Sequence, residues 1–218
     1  MIKAVLFDLD GTLINTNKLI LESFKYTFRT QLNMEMEDDK IVRFFGEPLR
    51  KSLSSVDPDN VDKLADAFHQ FNSENHDLLA EQYEGTIETL QALKERGIKL
   101  AVVTSKRKVM TERSLKLIKI YDIMDVIITP EDTDKHKPDG EPALLACERL
   151  GVAPEEALMV GDSIYDVKCG KNAGSKTCIV TYSCFSMEDL LKENPDYVID
   201  KLWQLVDIIE GKNIEKIS

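Results

Sequence analysis

The chain has 218 residues, 43% of them hydrophobic, and a formal net charge of −11. That length is ample for a sizeable core, either as one domain or as a core with a smaller insert. So acidic a chain is repelled by nucleic acid and by anionic membranes, although a local metal and a few cations can still hold a small anionic substrate.

The first element in the chain is Ala4 to Phe7, a short apolar run that reads as a fully buried strand. It leads straight into Asp8 and Asp10, two carboxylates one residue apart, and then Gly11, which takes backbone angles other residues avoid. Open α/β sheets place their ligands at the carboxyl ends of strands. Two carboxylates there are costly without a cation or a shared proton; a divalent metal supplies the first, an acid–base role uses the second. The run is too short, and too soon acidic, for a signal peptide, and no stretch is long enough to span a bilayer, so a cytoplasmic location is expected.

From about Lys18 to Gln82 the pattern is helical, with no strand candidate. Leu19, Ile20, Phe24 and Phe28 recur near a 3.6 period, and Val61, Leu64, Ala65, Phe68 and Phe71 form a second core stripe. Pro48 and Asp57-Pro58-Asp59 break the block. A helical segment between a strand and later strands reads as an inserted domain.

From Tyr83 strands and helices alternate. Helices are predicted at Thr86 to Glu95, Val109 to Lys119, Pro142 to Leu150, Ile164 to Asn172 and Lys201 to Glu210. Strands are predicted at Ile98 to Val103, Asp125 to Thr129, Ala157 to Val160, Lys176 to Thr181 and Tyr197 to Ile199. The alternation implies an α/β fold: a Rossmann-like parallel sheet with right-handed crossovers and a small all-helical insert. The four cysteines form no Cys-x-x-Cys pair and read as reduced, mostly buried residues. His69 and His76 read as polar surface of the helical block, and Trp203 as a packing residue of the last helix.

Three further strand ends carry candidate chemistry. Thr104-Ser105 offers a hydroxyl and a backbone N–H to a phosphate oxygen. Lys137, stiffened by Pro138, can neutralise a phosphate or hold a carboxylate pair together, with Lys135 as a competitor. In Gly161-Asp162-Ser163-Ile164-Tyr165-Asp166, the two acids are four apart, and a helical start puts them on one face. They suit a hard cation with oxygen ligands, and Asp162 or Ser163 can also cap the helix.

The order acid pair, hydroxyl, lysine, acid pair resembles the four motifs of the haloacid dehalogenase superfamily, and Phe7-Asp8-Leu9-Asp10-Gly11-Thr12-Leu13 resembles its first motif. The resemblance implies a phosphohydrolase in which Asp8 is the nucleophile that becomes an aspartyl phosphate and Asp10 the general acid and base. It implies Thr104, Ser105 and Lys137 as phosphate-binding residues. It implies Mg²⁺ held by Asp8, the Asp10 carbonyl and Asp162, with Asp166 supporting that shell from behind. It also implies a core of residues 1–14 and 83–218 and an inserted helical cap at 15–82.

Within the superfamily, Leu13 to Asn17, Ser54 to Pro58, Phe71-Asn72, His76 to Leu78 and Tyr83 to Gly85 resemble the bacterial inorganic pyrophosphatases. Pyrophosphate is therefore the first expectation for the substrate and phosphoglycolate the second. A phosphosugar mutase of the β-phosphoglucomutase kind fits less well, because such mutases usually carry an aliphatic residue where this chain has Thr12. A non-catalytic phospho-ligand sensor fits least, since Asp8, Asp10, Lys137 and Asp162 are all present. Glu47 and Arg50 are the candidate specificity residues of the cap, one repelling an anion and the other attracting it. A small phosphorylated substrate or pyrophosphate is expected as the partner of a monomer or weak dimer, without nucleic acid or membrane.

Overall fold

β1 (Ala4–Phe7) is wholly buried because it lies at the centre of the sheet, paired in parallel with a strand on either side. The computed structural model describes residues 1–212. β2 (Ile14–Asn15) is followed by α1 (Asn17–Leu32), α2 (Asp38–Val42), α3 (Leu49–Val56) and α4 (Val61–Leu79), and then by β3 (Glu81–Gln82) and α5 (Thr86–Glu95). The alternation continues with β4 (Lys99–Val103), α6 (Lys108–Leu117), β5 (Val126–Ile128), α7 (Glu141–Leu150) and β6 (Ala157–Gly161). It ends with α8 (Ile164–Ala173), β7 (Lys176–Val180), α9 (Met187–Lys192), β8 (Tyr197–Ile199) and α10 (Gln204–Ile209).

The main sheet has the order β5-β4-β1-β6-β7-β8 and every pairing in it is parallel. Neighbouring β1 and β6 leave the sheet centre in opposite directions of chain progress, so the crevice where α/β sheets bind ligands opens beyond their carboxyl ends. Side-chain alternation divides the core into two layers. Val5, Phe7, Leu100, Val102, Leu158 and Val160 face one layer with Leu90, Leu93 and Leu205; Ala4, Leu6, Ala101, Val103 and Met159 face the other with Ala143, Ala146 and Cys169. Truncating a side chain such as Phe7, with no exposed surface, to alanine is worth roughly 3–5 kcal/mol of stability.

Helices α1–α4 bury their own apolar cluster, in which the Phe24 ring lies 4.8 Å from that of Phe68 and 5.7 Å from that of Phe28. The chain enters and leaves this helical unit through an antiparallel ladder, Ile14 opposite Gln82 and Asn15 opposite Glu81. Here the structure corrects the sequence reading, which had no strand in this block; two-residue strands of mixed polarity carry no periodic signal. α9 was also unforeseen, being too short for a helical period to register.

Two single-residue expectations change as well. His76 has no exposed surface: its imidazole bonds Ser114 Oγ and Asp77 Oδ1, each at 2.7 Å, at the seam between α4 and α6. Trp203 is 49% exposed at the start of α10, while Leu205, Val206 and Ile208 do the packing. Cys147, Cys169 and Cys178 are buried free thiols as expected, but Cys184 is only partly covered. No helix among the described residues is long and apolar enough to cross a membrane.

Candidate active site

Asp8 follows the last residue of β1, and its N–H donates to Val160 O of β6 at 2.8 Å. That bond carries the β1–β6 ladder one residue past the strand and sets Asp8 beside the carboxyl end of β6. Asp162 follows Gly161 at that end, and Asp166 lies in the first turn of α8. One carboxylate oxygen from each of Asp8, Asp162 and Asp166 falls within 4.8 Å of the others, and all three residues are buried.

Two glycines make room for this crowding. A Cβ on Gly11, whose φ is +82°, would stand 2.3 Å from Asp162 Oδ2, and one on Gly161 would stand 2.2 Å from Asp166 Cγ. Ser163 caps α8: its Oγ accepts from the Asp166 N–H at 3.4 Å, while its own N–H and hydroxyl donate back to Asp166 Oδ2 at 3.0 and 2.6 Å. Capping thus falls to Ser163, and Asp162 is left with its carboxylate turned toward Gly11.

Lys137 binds the cluster together. Its ammonium donates to Asp8 Oδ1 and to Asp166 Oδ1, each at 2.7 Å, with 4% of its side chain exposed. Burial opposes the lysine's charge, but Asp166 and Asp8 outweigh it and hold the ammonium protonated beyond its ordinary range. Burial pushes the Asp8 carboxyl up to about 7 against the pull of Lys137, with Asp166 adding to the rise. Burial likewise pushes Asp162 well above the usual carboxylate range, and the charges of Asp8 and Asp166 push it further. Lys135 points away, 68% exposed and paired with Asp139.

This arrangement fits a hard divalent cation. One lysine cannot balance three buried carboxylates, and both oxygens of Asp166 are already taken by Lys137 and Ser163. Asp8 and Asp162 remain to meet a cation, whose charge would relieve the burial that resists their ionisation.

Asp10 stands beside the cluster and is held by a residue the sequence reading passed over. Lys106 Nζ lies 2.8 Å from Asp10 Oδ1, and Thr16 donates to the same oxygen at 2.7 Å. The available signal was position, since Lys106 is the second residue after Thr104 at a strand end; the basic helix that follows masked it as one more solvated lysine. Thr104 is buried at the end of β4, its hydroxyl accepting from Lys106 N–H at 3.1 Å. The hydroxyls of Ser105 and Thr12 are buried without a hydrogen-bond partner, so each has bonding capacity to offer.

The two cap candidates part company. Arg50 is 65% exposed and bonds Asp62 at the surface of the helical unit. Glu47 is largely covered: it accepts from Ser52 Oγ at 2.9 Å, pairs with Lys51 at 2.6 Å, and adds to the burial that raises the Tyr165 phenol. Glu47 therefore lies against Tyr165 in the first turn of α8.

Residues 5–180 match the family model described as haloacid dehalogenase-like hydrolase. A proposed pyrophosphatase PpaX of Clostridium perfringens (strain 13 / Type A) is 50% identical over 98% of this chain and 100% of its own length. Pyrophosphatase PpaX of Bacillus cereus (strain AH820) is 41% identical over 97% of this chain and 98% of its own. The crystal structure of a proposed haloacid dehalogenase-like hydrolase from Bacteroides fragilis superposes with a TM-score of 0.88 at 29% identity, covering 94% of this chain and all of that one. With its parallel sheet and its acidic cluster at the β1–β6 crevice, the chain belongs to the haloacid dehalogenase-like hydrolase family.

Proposed function

We propose that this protein is a Mg²⁺-dependent phosphohydrolase that works through an aspartyl phosphate on Asp8, with inorganic pyrophosphate as its substrate. The observation that carries the reading is Asp8 itself, a buried carboxylate oriented by Lys137 at the sheet crevice and flanked by Asp162 and Asp10. Residues 15–82 act as a cap over a core of 1–14 and 83–218. The pyrophosphate assignment is supported by the names of relatives that align over almost the whole chain.

In this reading Asp8 attacks phosphorus, forming one P–O bond as the bond to the leaving phosphate breaks. Asp10 gives the leaving oxygen a proton and then takes one from the water that hydrolyses the aspartyl phosphate. Thr104, Ser105 and Lys137 hold the phosphoryl oxygens, the unpartnered Ser105 hydroxyl being free to do so. Asp8, the Asp10 carbonyl and Asp162 would hold Mg²⁺, with Asp166 fixing Lys137 from behind. Mg²⁺, when bound, supplies the positive charge that phosphoryl transfer requires.

The test is release of orthophosphate by the purified chain with Mg²⁺, from pyrophosphate, phosphoglycolate, sugar phosphates, nucleotides and an aryl phosphate. The expected result is the highest kcat/KM on pyrophosphate. A higher value on phosphoglycolate would transfer the assignment to that substrate, and release from none of them would leave a phospho-ligand sensor.

A further inference from the structure

The loop that follows β7 touches both the acidic cluster and the helical unit. The Ser183 hydroxyl donates to the backbone carbonyl of Asp162 and accepts from the Phe185 N–H at 2.9 Å. One hydroxyl thus ties residue 185 to the residue that carries a cluster carboxylate. Cys184 and Phe185 pack against the apolar cluster of Phe24, Phe28, Ile41 and Phe45 in α1–α4 and the turn beyond α2. Phe185 also rests on Val167, Ile179 and Leu190 of the core, so its ring bridges the two units. At the other end of the loop the Tyr182 hydroxyl donates to Thr12 O at 2.9 Å, and its ring lies 4.4 Å from that of Tyr83, just past β3.

We propose that Tyr182–Phe185 couples the seating of the helical unit to the placement of Asp162, with Ser183 as a positioning residue and Phe185 as the contact that senses the helical unit. The proposal rests on Asp162 being a cation ligand. The backbone of Asp162 is followed by the capped start of α8 and held from outside by Ser183. Moving the helical unit off the core strips Phe185 of its contacts with the helical cluster, and the Ser183 hydroxyl then loses the fixed N–H that orients it. Linkage makes the effect reciprocal: whatever seats the helical unit strengthens cation binding, and the cation seats the helical unit by the same factor. The direct contact between the units at Gly46, where a Cβ would lie 3.1 Å from Ser163 and Tyr165, reports seating but touches no cluster carboxylate.

The experiment measures the Mg²⁺ dissociation constant of the full chain by titration calorimetry without substrate, alongside hydrogen exchange over residues 38–56. Ser183→Ala is expected to weaken Mg²⁺ binding about fivefold or more, and Ser183→Thr, which keeps the hydroxyl, to restore most of it. Phe185→Ala is expected to weaken binding although its side chain touches no carboxylate, and the double variant to be no weaker than Ser183→Ala alone. Mg²⁺ is expected to slow exchange over 38–56 in the wild type and not in Ser183→Ala. Phe185→Leu, which keeps most of the core packing, serves if Phe185→Ala does not fold. Wild-type Mg²⁺ affinity in the Phe185 variant, or losses that multiply in the double variant, would overturn the coupling. Wild-type affinity in Asp162→Asn would overturn the cation reading beneath it.

Discussion

The Lys106 ammonium lies 2.8 Å from Oδ1 of Asp10, although 96 residues separate the two in the chain. Thr16 donates to that same oxygen, so in the proposed mechanism proton exchange with substrate is left to Oδ2. Lys106→Met should therefore lower kcat/KM on pyrophosphate by roughly 10- to 100-fold, about 1.4–2.7 kcal/mol of transition-state stabilisation. Circular dichroism should be unchanged. Activity within twofold of wild type would remove Lys106 from the working site.

Asp8→Asn keeps the shape of the side chain and removes the proposed nucleophile. Turnover should fall by about 10³-fold or more, with the fold intact because Lys137 retains Asp166 as a partner. Beryllium fluoride with Mg²⁺ should raise the Tm of the wild type and not that of the variant. Near wild-type turnover in Asp8→Asn would end the covalent mechanism.

Among the described residues Asp162 differs from Asp8 in having no bonded cation: Lys137 reaches Asp8 and Asp166. Asp162→Asn should accordingly raise the Tm of the metal-free protein, by relieving repulsion among buried acids, and should abolish the stabilisation that Mg²⁺ gives the wild type. Differential scanning fluorimetry across a Mg²⁺ series reads both. A lower metal-free Tm in the variant would mean that the Asp162 carboxylate is held by something other than a cation.

The core was readable from the sequence because its strands are short apolar runs that each end in a chemical residue: Phe7 then Asp8, Val103 then Thr104, Gly161 then Asp162. A buried parallel strand has no polar face to blur that pattern. What escaped notice depends on contacts distant in sequence. Lys106 is an ordinary lysine until Asp10 is folded against it, and Ser183 an ordinary loop serine until its hydroxyl meets Asp162. His76 sits in a polar stretch of α4 and is buried where α4 meets Ser114 of α6. Periodicity reports which face of a helix is apolar; it carries no information on where two helices from separate units meet.

Arg50 shows the same limit from the opposite side. Its charge and its place after Gly46 suggested an anion contact, yet it is 65% exposed and engaged with Asp62. Exposed pairs contribute little, about 0–1 kcal/mol. Arg50→Ala should leave kcat/KM on pyrophosphate and on an aryl phosphate within about twofold of wild type, and stability within roughly 0.5 kcal/mol. A selective loss on pyrophosphate would mean that Arg50 swings into the site when substrate binds.

His76 gives the seam between α4 and α6 a pH dependence whose sign is fixed by its surroundings. Burial lowers its pKa below the ordinary 6.5, outweighing the bond to Asp77, so the folded protein holds the imidazole neutral. Its neighbours across the seam are Ser114 and Arg113, and the Arg113 guanidinium bonds Asp77 Oδ1 at 3.0 Å and Ser73 O at 2.8 Å. The unfolded chain takes up a proton as pH falls through about 6.5, while the folded chain resists until a lower pH. The contribution of His76 is thus fully present above 6.5 and declines as pH drops below it. Urea midpoints measured from pH 8 to pH 5.5 should fall more steeply in the wild type than in His76→Asn, which cannot titrate. Equal slopes would show that folding leaves the imidazole pKa unmoved, and a steeper fall in the variant would show that the folded seam favours the protonated ring.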